Sequence, residues 1–288
     1  MAWELQTTTV KTQNGVATFQ FQEPVLGLIY GISGFGMSYS HSHAVMTFQV
    51  QLSCNQGFPI QALAPVQIVY NMVLCDDSNH SADSYSLTIS VLAWTGQPGS
   101  PISGTLGMSG LASNGVVTNV NPPVYSFPAG QVLSAFALSN RPHDHNVQAV
   151  SVGVSIVTAG NSLGLKVTAE THDASGHYAP QAMAGGGIFS SLEDTGLQFP
   201  PSANYQSTKP ETVNFNHGTL SNAAAFLTGF QAQYSGSHQV LSIKAGYSAI
   251  APAGASIVIG SPGVTMTDGK NTQDDSKSYV SLVLIGLN

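Results

Sequence analysis

Ile32-Ser33-Gly34-Phe35, followed by His43-Ala44-Val45, is the stretch whose reading decides the fold, because the chain repeats it. Leu133-Ser134-Ala135-Phe136 with His145-Asn146-Val147 is the second copy, and Leu227-Thr228-Gly229-Phe230 with His238-Gln239-Val240 is the third. The step from Phe to His is 8 residues in the first and last copies and 9 in the middle one. Successive copies stand about a third of the 288-residue chain apart. Self-similarity at a fixed period is the mark of repeated structural units.

Each copy continues as a strand. Phe48, Val50 and Leu52 share one face after the first signature, and Val150, Val152, Val154 and Ile156 do so after the second. In the third, the run is Val240-Leu241-Ser242-Ile243-Lys244-Ala245. Period-two alternation predicts half-buried antiparallel strands. An acidic turn then recurs: Asp76-Asp77-Ser78-Asn79-His80, Asp173-Ala174-Ser175-Gly176-His177, and Asp268-Gly269-Lys270-Asn271. A tyrosine follows each turn, at Tyr85, Tyr178 and Tyr279. Copies one and three close on matching apolar strands, 87–93 and 280–285. Copy two departs, since Pro180 and the run Gly185-Gly186-Gly187 make a poor strand, so its final strand is expected to be displaced or altered. The best helix-like segment, Leu220–Leu227, aligns with residues around Tyr30 that read as extended.

The expectation is an all-β chain of three tandem antiparallel β-sandwich modules, arranged with pseudo-threefold symmetry. Their boundaries fall at 1–97, 98–198 and 199–288, at the short Pro-containing stretches 95–101 and 199–204. With 42% hydrophobic residues, each unit of about 95 residues can build one modest core.

Charge is sparse, at 7% of residues against about 25% in ordinary soluble domains. The net charge of −7 and the absence of any basic cluster argue against nucleic acid, whose phosphates call for Lys and Arg. A neutral polar β-rich surface defends its strand edges weakly, which favours self-assembly. No run approaches the length of a transmembrane helix, and Met1-Ala2-Trp3-Glu4-Leu5-Gln6 lacks the features of a secretory signal. A cytoplasmic product, or one exported by another route, is expected. Cys54 and Cys75 both lie in the first copy, so the repeat does not depend on a disulfide, and reduced thiols are the expected state.

The histidines carry the strongest chemical suggestion. His41 and His43, and likewise His143 and His145, alternate on a strand and put two imidazoles on one face, where they could grip a transition metal. Asp76 or Asp173 would supply a third ligand, and copy three, with Gly236 before His238, loses the pair. The competing reading makes the shared His a structural residue at strand entry. Asp and Ser in the acidic turns equally bond their own backbone. No His-Glu-x-x-His or phosphate-loop pattern occurs, so no catalytic residue and no cofactor is assigned. Candidate ligand contacts are His43, His145, His238, Asp76, Asp77, Asp173, Arg141, Tyr85 and Trp94. They are hydrogen-bonding and flat aromatic groups of the kind that hold a neutral polyol.

The order of strand, Gly-Phe, strand and polar turn, with a closing strand ending Val91-Leu92-Ala93-Trp94-Thr95-Gly96, is similar to the H-type lectins. That resemblance implies small six-stranded antiparallel sandwiches that trimerise and bind N-acetylgalactosamine-type sugars. The family's Arg and Trp contributions find no residue-by-residue match, because Arg141 is the only arginine and Trp94 occurs in one copy alone. The function expected is non-catalytic: multivalent recognition or adhesion, with a glycan or other neutral polar ligand. The alternatives are a self-assembling shell, fibre or inclusion component, or a lectin-like virulence or insecticidal factor.

Overall fold

The computed structural model describes residues 2–99, 104–125, 129–140, 146–191, 196–200, 202–206, 209–215, 218–270 and 272–288. The first third of the chain forms β1 (Ala2–Val10), β2 (Asn14–Gln20), β3 (Val25–His43), β4 (Val45–Ser53), β5 (Pro65–Asp76) and β6 (Ser84–Thr95). The second forms β7 (Gly104–Met108), β8 (Ala112–Ser113), β9 (Val117–Val124), β10 (Ala129–Ser139), β11 (Val147–Ala159), β12 (Ser162–His172) and β13 (Gln181–Ser191). The last forms β14 (Leu197–Gln198), β15 (Ala203–Tyr205), β16 (Glu211–Asn214), β17 (Asn222–His238), β18 (Val240–Gly246), β19 (Ala249–Ala253), β20 (Ser256–Gly260), β21 (Gly263–Thr267) and β22 (Tyr279–Leu287). A 3-10 turn, Asp275–Lys277, precedes β22. The protein is therefore all-β and antiparallel. Alternation makes the strands: in β5, Val66, Ile68, Tyr70, Met72 and Leu74 are buried while the residues between them face outward or the rim. Leu220–Leu227, for all its alanines, leads into β17.

The sheets cross the boundaries between thirds. The three strands that carry the signature phenylalanines, β3, β10 and β17, each pair on one side with a strand of their own third, β6, β13 and β22. On the other side each takes a strand from elsewhere: β10 pairs with β4, β17 with β11, and β3 with β18. The exchange closes in a ring. Its register is constant. Phe136 stands opposite Val50, Phe230 opposite Val152, and Phe35 opposite Ala245, each partner at the same position after the shared valines Val45, Val147 and Val240. One five-stranded sheet (β1-β6-β3-β18-β21) thus joins the first and last thirds. The other two exchanges lie in a longer sheet path, and β16-β20-β19 forms a small third sheet.

The signature acquires a physical meaning. Ser33, Ser134 and Thr228 each sit where the pairing with the closing strand slips by one residue, between Ile32 and Gly34, Leu133 and Ala135, and Leu227 and Gly229. Such a bulge bends a strand and increases its twist. All three hydroxyl residues are buried, and the Ser33 hydroxyl donates to Ser90 Oγ at 2.6 Å. Just beyond the bulges the rings of Phe35, Phe136 and Phe230 meet one another, with centroids 5.6, 5.2 and 5.5 Å apart for the first–second, first–third and second–third pairs. Phe48 joins them at 4.8 Å from Phe136. On the other side of the bulges Gly31, Val132 and Phe226 converge. A Cβ on Gly31 would lie 2.8 Å from the Phe226 ring and 3.0 Å from Val132, so only glycine fits there.

The closing strand of the second third corrects the sequence expectation. It is neither lost nor displaced: β13 runs through Gly185-Gly186-Gly187 and pairs with β10 along its length, and with β7 and β8. The glycines that weaken strand propensity are needed for close approach. A Cβ on Gly186 would overlap the Val132 carbonyl oxygen, and one on Gly187 would sit 2.5 Å from Met108 Sδ and 2.7 Å from Ile29 Cδ1. Pro180 stands just before the strand, where it costs no ladder bond. Cys54 and Cys75 are free.

Candidate functional site

Two features gather polar side chains. The first is a set of His–Asp stations where the signature strands end. The carboxylate of Asp76, at the end of β5, accepts at Oδ2 from His43 Nδ1 at 2.8 Å and from His80 Nδ1 at 3.2 Å. Its Oδ1 accepts from the backbone N–H of Ser78 at 2.9 Å and of His80 at 2.8 Å. Asp173 repeats this arrangement, with the N–H groups of Ser175 and His177 at 2.8 and 2.9 Å and His177 Nδ1 at 2.9 Å. In the last third His238 Nδ1 lies 3.0 Å from Asp268 Oδ2, and the N–H of Lys270 bonds Asp268 Oδ1 at 2.8 Å. Thr272 stands where the other two turns carry His80 and His177.

These are Asx-type turns whose aspartate also fixes an imidazole. Asp76 and Asp173 are about 5% and 4% exposed. Burial works against their ionisation, but the N–H and imidazole donors outweigh it. Asp76 is held below the usual carboxylate range, and Asp173 is lowered to about 2. Asp268 is also lowered, burial again opposing the Lys270 N–H. Since the ionised carboxylates can only accept, each imidazole donates from Nδ1. The buried rings of Tyr39 and Tyr234 pack against His43 and His238, with centroids 4.4 and 5.1 Å apart.

The second feature is a cleft of about 1040 Å³ on the seam where β3 and β6 meet β18 and β21. Gly34, Gly36 and Gly246 leave bare backbone in its wall, and Ser38, Ser84, Ser86, Thr88, Thr265 and Thr267 line it with hydroxyls. Tyr85 and Tyr247 add aromatic rings, Gln206 and Gln273 add amides, and Lys244 and Asp275 are the only charged groups lining it among the described residues. Burial raises the phenol pKa of Tyr85.

The sequence-derived candidates separate accordingly. His43 and Asp76 meet, as do His238 and Asp268, while Asp173 meets His177. Asp77 is exposed beside Ser78, whose hydroxyl bonds it at 3.4 Å. Tyr85 lines the cleft. Trp94 is core: it is 3% exposed and packs edge-on against Trp3 at 4.8 Å, with no face left for a ligand. His41 is exposed and contacts Ser40 Oγ at 3.2 Å, so the group that assembles is His43–Asp76–His80 and not the His41–His43 pair. Arg141, His143 and His145 lie outside the described residues. Sequence reasoning passed over His80, His177 and Asp268, although an Asp with His four residues on occurs in two of the three turns. The cleft residues had no such signal.

No family model, curated protein or solved structure matches this chain. Among the described residues no helix is long and apolar enough to cross a membrane.

Proposed function

We propose that the protein is a non-catalytic glycan-binding protein, built as three related antiparallel modules joined in one chain around a pseudo-threefold axis, with its sugar site in the cleft between the first and last modules. Three facts support the modular reading: the closed ring of strand exchange, its constant register, and the convergence of Phe35, Phe136 and Phe230. In each third, β1-β6-β3, β7-β13-β10 and β14-β22-β17 repeat one pairing order, and β4-β5, β11-β12 and β18-β21 repeat another. This is the organisation implied by the resemblance to H-type lectins, with the three subunits of a trimer fused end to end.

The observation that carries the glycan reading is the chemistry of the cleft. A neutral polyol is held by several placed hydrogen bonds and an apolar ring face, and is not selected by net charge. The cleft offers nine serine and threonine hydroxyls, two amides and two tyrosines beside a single lysine and a single aspartate. A glycan array probed with the full chain tests it. Binding to a restricted set of glycans is expected, competed by the free sugar and abolished by Ser86→Trp, which fills the cleft opposite Gly36. No glycan above background, or unchanged binding by Ser86→Trp, would remove this reading.

One observation favours a second reading, self-assembly through a sheet edge. β2 ends its sheet, and its Val16 stands opposite Val69 with 52% and 41% of their surfaces exposed. An unguarded apolar edge invites another strand. Sedimentation at rising concentration separates the cases: a species that stays monomeric, and is unchanged by Val16→Lys, counts against assembly.

A further inference from the structure

We propose that the His43–Asp76–His80 station is a binding site for a divalent transition metal ion of the zinc class. One ligand atom from each residue lies within 4.8 Å of the others. Two imidazole nitrogens and one carboxylate oxygen are a donor set that suits such ions and does not suit calcium or magnesium. An ion about 2.0–2.2 Å from three tetrahedral donors sets them roughly 3.3 Å apart. The two Nδ1–Oδ2 separations are 2.8 and 3.2 Å, and rotation of the exposed His80 ring brings the two imidazole nitrogens, within 4.8 Å of each other, onto the ion. The ion would take the place of the two Nδ1 hydrogens. Each imidazole would then carry its hydrogen on Nε2.

The surroundings hold the ligands in place, as the outer shell of a metal site does. Asp76 Oδ1 is fixed by the backbone N–H groups of Ser78 and His80, which leaves Oδ2 for the ion. The Tyr39 ring lies against His43. His80 is 70% exposed, so one side of the site is open to solvent and the fourth position falls to water or an incoming ligand. The last third is an internal control. Its station keeps His238 and Asp268, but Thr272 replaces the second histidine, leaving only two of the three donors. This inference is independent of the glycan reading.

Calorimetric titration of zinc chloride into tag-free, chelator-treated full-length protein tests it. The variants are His80→Ala, whose exposed side chain can be removed without loss of core, His41→Ala and Thr272→His, with each fold checked by thermal melting. One zinc equivalent should disappear, or weaken by at least about tenfold, in His80→Ala and persist in His41→Ala. Thr272→His should add an equivalent. Absence of zinc binding by the wild type, the same stoichiometry and affinity in His80→Ala, or loss of that equivalent in His41→Ala would overturn the proposal.

Discussion

Phe136→Ala should be among the most damaging single changes in this chain. The ring is fully buried and touches Phe35 at 5.6 Å, Phe48 at 4.8 Å and Phe230 at 5.5 Å. Truncating a core phenylalanine costs about 3–5 kcal/mol, and each aromatic pair contributes about 0.5–1.5 kcal/mol beyond its buried area. With three pairs lost at once, the expected cost lies at the top of that range, about 5 kcal/mol. That is a large share of a typical folding stability of about 5–15 kcal/mol. Urea unfolding followed by fluorescence measures it as a shift in midpoint at constant slope. Phe35→Ala and Phe230→Ala should cost nearly as much. Because the rings touch, the double variant Phe35→Ala/Phe136→Ala should cost less than the sum of the singles, by at least about 0.5 kcal/mol. A cost below about 1 kcal/mol for any of the three, or strict additivity of a pair, would refute the idea that they form one shared core.

Two further changes probe the backbone and the stations. Gly186→Ala places its Cβ on the Val132 carbonyl, where backbone meets backbone and no side chain can yield, so a loss of about 3 kcal/mol or more is expected in the same assay. Gly57→Ala, which meets nothing within 4 Å, should be close to neutral. Asp76, Asp173 and Asp268 have carboxyls depressed in the folded state, so their contribution is complete above the unfolded value of about 3.9. It is lost as pH falls toward about 2, the folded value of Asp173. Unfolding midpoints should therefore drop between those two values, and less steeply in Asp173→Asn. A flat profile across that window would contradict the assignment.

Much of the local structure was legible because alternation is a local property. Val150, Val152 and Val154 announce a strand whatever they pair with. The partner is not local. Nothing in the composition of β4 says that it leaves its own third to pair with β10, since a period of two fixes the buried face and not the neighbour. The signature was visible as a coincidence of Ser or Thr, Phe and His, but its cause, a bulge that buries Ser33, Ser134 and Thr228 and turns three rings onto one point, exists only across strands. Gly185-Gly186-Gly187 misled because strand propensity ranks glycine low, whereas here tertiary crowding excludes every other residue. Trp94 misled in the opposite way: an aromatic that suits a sugar is equally suited to a core, and Trp3 claims it. The Asp–His stations were half legible, the turns by their acidic residues and the His80 and His177 partners only by a recurring interval. The cleft, drawn from strands more than two hundred residues apart in sequence, had no mark at all.

The cyclic exchange of strands is the central claim, and cutting the chain tests it most directly. Sites for a specific protease would be placed at the exposed Gln97-Pro98-Gly99 and between Pro200 and Ala203, and the folded protein cleaved at both. Because β4, β11 and β18 each complete a sheet of another third, the three fragments should stay together and elute as one particle of the uncut size, separating only in denaturant. Three separately eluting folded fragments after cleavage would contradict it.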